Sequence, residues 1–242
     1  MPSALAWGAV ASSSLVIGAL LAGIRSWSPR QVGMVLAFGA GALISAIGFE
    51  LAAEGIEVGG LRATAAGLAA GALTYFALDG WIAKRFSAGR GRAGRAAGSD
   101  AGTALALGAF LDGIPEQLVL GIGLAAGGQV SAGLVVAIFV SNLPEAVGSA
   151  TAMEESGVRK GRVLALWLAV AAICAVASLA GYGLADAVSG ELRAAIDGFA
   201  AGALLVMLVD SMIPEATRDS GRVAGLLTTL GFAVATALSS VS

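Results

Sequence analysis

Apolar residues run along this chain in eight blocks, near 3–24, 32–53, 63–83, 102–124, 131–152, 163–184, 194–216 and 223–241, and the stretches between them hold most of the charge. Blocks of about 20 residues, rising 1.5 Å per residue, match the ~30 Å hydrocarbon core of a bilayer. They do not alternate with period two and are too long for barrel strands, so the pattern predicts helices. The opening Met-Pro-Ser-Ala has no basic stretch, so the first block is expected to span the membrane and not to be a cleaved signal. The expected fold is therefore an all-α integral membrane protein, one transmembrane domain over 1–242 with eight spanning helices.

Charge gives this reading an orientation. With both termini placed outside the cytoplasm, the inner loops hold Arg25 and Arg30, then Lys84, Arg85, Arg90, Arg92 and Arg95, then Arg159, Lys160 and Arg162, then Arg218 and Arg222; only Arg62 and Arg193 of the 14 basic residues fall outside. That is the positive-inside bias of a cell (inner) membrane protein with extracytoplasmic termini. Composition agrees: 57% of residues are hydrophobic and 12% charged, about half the charge of a soluble domain. The Gly/Arg-rich stretch 84–100 is read as a cytoplasmic loop that obeys the same bias, not as a nucleic-acid patch. The chain has no His, which removes imidazole ligands and Ser-His catalysis, and its single Cys174 excludes a disulfide framework.

Two segments repeat. Phe38 to Glu54 reads FGAGALISAIGFELAAE and Phe199 to Glu215 reads FAAGALLVMLVDSMIPE, at a constant offset of 161. In the topology above the two helices run in opposite directions, as in an inverted-repeat transporter. Phe110-Leu-Asp-Gly-Ile-Pro-Glu116 and Phe139-Val-Ser-Asn-Leu-Pro-Glu145 form a second pair, on the fourth and fifth spans. The expected arrangement is 3+2+3: spans 1–3 and 6–8 related by inversion, with 4 and 5 between them. Gly67-x-x-x-Gly71 and Gly198-x-x-x-Gly202 are small-residue faces, read first as helix packing and second as a homodimer interface.

The chemistry gathers at three prolines inside spans, Pro115, Pro144 and Pro214, each followed directly by Glu. A helix-interior Pro lacks an N–H and frees the carbonyl four residues earlier, here Leu111, Val140 and Asp210. A freed carbonyl in lipid needs a wet cavity or an ion. Asp112 and Glu116 share a helix face, Ser141 and Glu145 repeat that spacing, and Asn142 adjoins them. No Lys or Arg lies within a span to neutralise these acids, whereas a divalent cation compensates two of them. Asp112, Glu116, Ser141, Asn142, Glu145, Asp210 and Glu215 thus make up an oxygen-rich cation cage. Glu50 and Glu54 lie near the outer mouth, where they can collect cations.

With these residues the chain resembles the ZIP family of divalent metal transporters, as a histidine-free member of bacterial type. The family pattern His-Asn-x-Pro-Glu-Gly on helix 4 has Asp112-Gly-Ile-Pro-Glu-Gln117 in its place, and His-x-x-x-Glu on helix 5 has Ser141-Asn-Leu-Pro-Glu145. The resemblance implies transport of zinc, with manganese, iron or cadmium as further cargo. It also implies Glu116 and Glu145 as ligands, Asp112 in place of a His, and Ser141 and Asn142 as supporting oxygens. Gly113 stands where the family has Asn, and helix 6 has no acid of the kind that completes a two-metal site in several members. An all-oxygen site is expected to be less zinc-selective than one with imidazole. The partners implied are the metal ion and the bilayer; no enzyme activity and no cofactor are expected. A passive cation channel would use the same acids but needs no inverted repeat. An intramembrane aspartyl hydrolase could pair Asp112 with Asp210, but the Tyr-Asp and Gly-x-Gly-Asp settings of such enzymes are missing.

Overall fold

A cap opens the second helix. In Ser28-Pro-Arg-Gln31 the Ser28 hydroxyl accepts the Gln31 N–H (3.3 Å), the Gln31 side chain accepts the Ser28 N–H (3.2 Å), and Pro29 takes the first helical turn. This capping box starts the helix at Pro29, three residues before the apolar block. Ser189 plays the same part further on, its hydroxyl accepting the Leu192 N–H at 3.3 Å. That helix begins at Gly190, ahead of the expected 194.

The computed structural model describes residues 2–25, 27–87, 113–114, 116–125, 132–185 and 188–240. Its regular structure there is helical throughout: α1 Pro2–Ile24, α2 Pro29–Ser45, a π segment Ala46–Ala53, α3 Glu54–Gly59, α4 Leu61–Ser87, α5 Glu116–Ala125, α6 Ala132–Glu155, α7 Lys160–Leu184, α8 Gly190–Met207, a second π segment Leu208–Met212, α9 Ile213–Ser220 and α10 Val223–Ser239. Six helical runs are long and apolar enough to cross a membrane, and α5 and α10 are shorter apolar helices in the places of the fourth and eighth spans. The first part of the fourth span, 102–112, lies outside the described residues. The loop expected over 84–100 starts later than its charges suggest: α4 continues to Ser87 because Ala, Lys and Arg are good helix formers, and 88–100 lie outside the described residues.

The outward faces are apolar. Leu226 is 75% exposed, Leu73 69% and Phe76 67%, an arrangement compatible with lipid and unfavourable in water. Inside, α1 packs against α6 and α7 around the fully buried Trp167, while a larger core runs through α2, α6 and α8.

Helix pairs approach closely through glycine. A Cβ at Gly41 would overlap the Thr228 carbonyl and one at Gly231 the Phe38 carbonyl, joining α2 to α10; one at Gly202 would overlap the Leu68 carbonyl and one at Gly71 the Phe199 carbonyl, joining α8 to α4. The two small-residue motifs thus face each other across α4 and α8, which is packing within the chain.

Correspondence at the 161-residue offset extends beyond the sequence match. The apolar runs Pro29–Gly59 and Gly190–Ser220 are both 31 residues long. Both begin after a capping serine and both contain a π segment, Ala46–Ala53 and Leu208–Met212. Both end at a glycine of positive φ, Gly60 at 89° and Gly221 at 63°. Each of these glycine N–H groups bonds the carbonyl four residues back, Gly60 to Ile56 at 3.0 Å and Gly221 to Thr217 at 2.9 Å. A side chain at either position would be strained, which is why glycine ends both runs.

Candidate metal centre

Glu116 opens the described part of α5 and is 3% exposed. On α6, Ser141 and Asn142 are buried, Asn142 beside Glu116, and they precede the buried, helix-interior Pro144 and the partly buried Glu145. The Asn142 side chain lies against Glu116, and the carboxylate Oε2 of Glu116 is buried and has no hydrogen-bond partner among the described residues. Glu116 and Glu145 lie within electrostatic reach of each other, and Glu145 within reach of Glu215. Among the described residues, no Lys or Arg forms an ion pair with Glu116 or Glu145. Two like charges with one orphaned oxygen in a low-dielectric setting make a place that favours a cation.

The other expected members differ in setting. The Ser141 hydroxyl donates to the Ile138 carbonyl of its own helix at 3.1 Å, leaving its lone pairs as its only ligand capacity. Glu215 is half exposed and 3.7 Å from Arg218. Asp210 is exposed, and among the described residues it forms no ion pair. The distortion expected at its carbonyl takes the form of the π segment Leu208–Met212, which contains it and leads into Pro214. Asp112 and Pro115 lie outside the described residues. Among the described residues, no group of three or more His, Cys, Asp or Glu is gathered closely enough to hold a metal ion. The acids that do meet are Glu116 with Glu145, and Glu145 with Glu215.

One residue comes to the site without a sequence signal. Cys174 of α7, read as part of an apolar run, is buried and lies within electrostatic reach of both Glu116 and Glu145. Its Sγ would stand 2.7 Å from a Cβ on Gly113, so a side chain there would require the sulfur to shift. Gln117, which follows Glu116 in the motif, is 1% exposed, and among the described residues neither its amide oxygen nor its nitrogen has a hydrogen-bond partner. Motif spacing cannot reveal Cys174, because its place depends on which helix packs alongside. No protein-family model matches the sequence, and no curated protein matches it either.

Proposed function

We propose that the chain carries a divalent metal cation across the membrane through a site on α5 and α6, in the manner of the ZIP family, with the helices in a 3+2+3 inverted repeat. The observation that carries the reading is the buried Glu116 beside Glu145: among the described residues its Oε2 has no hydrogen-bond partner and no basic side chain pairs with either acid. A divalent ion supplies the missing charge and takes up the orphaned oxygen. The 161-residue correspondence of caps, π segments and terminal glycines supports the repeat, as does the matching glycine packing of α2 on α10 and α8 on α4. Cys174 adds a soft donor next to the carboxylates and favours zinc and cadmium over manganese among the divalent ions. Cys174 packs against Gly113, where the family has Asn, and a larger residue there would have to displace its sulfur.

The test is uptake into proteoliposomes across a panel of zinc, cadmium, manganese and iron(II). Saturable uptake with mutual competition is the expected result, zinc and cadmium being preferred. Flux that rises linearly with metal concentration would replace the transporter with a passive channel.

A further inference from the structure

Arg193 stands in the first turn of α8 and reaches two carboxylates. Its Nη2 donates to Glu54, the first residue of α3, and its Nε lies 3.8 Å from Asp197 Oδ2, one turn along α8. The Arg193 side chain is 15% exposed and that of Asp197 3%, but that of Glu54 is 42% exposed. Glu54 is the counterpart of Glu215 at the 161-residue offset. Among the described residues Glu215 pairs only within its own helix, with the 70% exposed Arg218, and it lies within reach of the site acid Glu145. The end of the first run is thus tied ionically to the start of the second, whereas among the described residues Glu215, at the end of the second run, has no ion pair with another element.

We propose that Arg193 is a latch that holds Glu54 to close the transport path where α3 ends and α8 begins, and that opening this end releases Glu54. The inference rests on the transport reading above, in which each end must open in turn. The two carboxylates differ in a way that suits a latch. Asp197 is on the same helix as Arg193 and stays with it during any movement of α8, so the guanidinium keeps a counter-charge when Glu54 leaves. Glu54 is half exposed and can turn to water, so release strands no buried ion, the outcome that makes breaking a buried pair so unfavourable. Once released, Glu54 stands in relation to its run as Glu215 does to the other, an acid available to the path. Gly59 packs against the Gly190 carbonyl and Ala194, so α3 and α8 adjoin here with the ion pair across the seam.

Cys174 is the chain's single cysteine, is 1% exposed and lies beside the site acids, which makes it a native reporter of access. The experiment labels it, in metal-free vesicles of known orientation, with a small charged methanethiosulfonate added from one side or the other. Glu54→Gln and Arg193→Gln should each raise the labelling rate from the Arg193 end tenfold or more without raising it from the opposite end. The exchanged pair Glu54→Arg with Arg193→Glu should bring the rate back toward the starting value. An unchanged rate in folded variants, or an equal rise from both sides, overturns the latch. If Arg193→Gln does not fold, Glu54→Gln decides alone, because its side chain is already half exposed. The labelling needs no metal, so it is independent of uptake by Glu116→Gln: normal uptake in that variant removes the metal site and leaves the latch to be judged by the labelling.

Discussion

Glu116→Gln is the substitution that most directly probes the site. Gln keeps the volume and one carbonyl oxygen, so the Asn142 contact has a partner of similar shape, while the charge at the orphaned Oε2 is lost. Two unit charges 4 Å apart interact by about 4 kcal/mol at an effective dielectric of about 20, so a divalent ion loses about 8 kcal/mol of gross attraction. Desolvation offsets part of that, and breaking one buried pair typically leaves about 3–5 kcal/mol. At about 1.4 kcal/mol per decade, metal affinity should fall at least about a hundredfold. Stability should move the other way. The apo protein holds the buried Glu116 next to the partly buried Glu145, and removing one acid relieves that burden, so the metal-free melting temperature should hold or rise. The wild type should also gain about 2.7 kcal/mol at metal concentrations of about 100 Kd, a gain the variant lacks. The assay is metal uptake into proteoliposomes together with melting curves with and without zinc, with Glu57→Gln as a control that transports normally. Normal uptake by Glu116→Gln, with metal-induced stabilisation intact, would refute the carboxylate site.

Other expectations follow from the same structure. Metal must displace protons from the carboxylates, so zinc affinity should weaken as pH falls from 8 to 5; equilibrium dialysis that finds it constant over that range argues against carboxylate ligands. A cysteine placed after Ser242 in a Cys174→Ser background should react with an impermeant reagent on intact cells, because the basic loops then face inward; protection would reverse the topology. Gly41→Ala and Gly202→Ala drive a methyl into a facing backbone carbonyl and should each destabilise by about 1–3 kcal/mol. Gly48→Ala, which meets nothing within 4 Å, is the control, and equal melting temperatures for all three would remove the close-packing account.

Much of this architecture could be read from the chain because lipid imposes a simple rule: a run of about 20 apolar residues is a helix. The starts at Pro29 and Gly190 lay in plain view as capping signals, Ser28 with Gln31 and Ser189, outside the apolar blocks that define the spans. Glu116, Asn142 and Glu145 were legible because two similar motifs carry them. Cys174 was not, since a sulfur in an apolar run becomes chemistry only when α7 packs beside Gly113. The link between Glu54 and Arg193 spans 139 positions, and no local pattern encodes such a meeting.

The π segments also give the two long runs a mechanical property. A π turn holds an extra residue within an otherwise α-helical run, and each residue of an α-helix turns the chain by about 100°. If Ala46–Ala53 tightens to α geometry, everything beyond it, Glu54 included, rotates about the helix axis while the capped start at Ser28 stays fixed. Leu208–Met212 can do the same for Glu215. Each run then behaves as a screw with a slip joint near its end: an acid is swung from one face to another by rewinding a turn, with no need to unfold the helix or carry the whole bundle along.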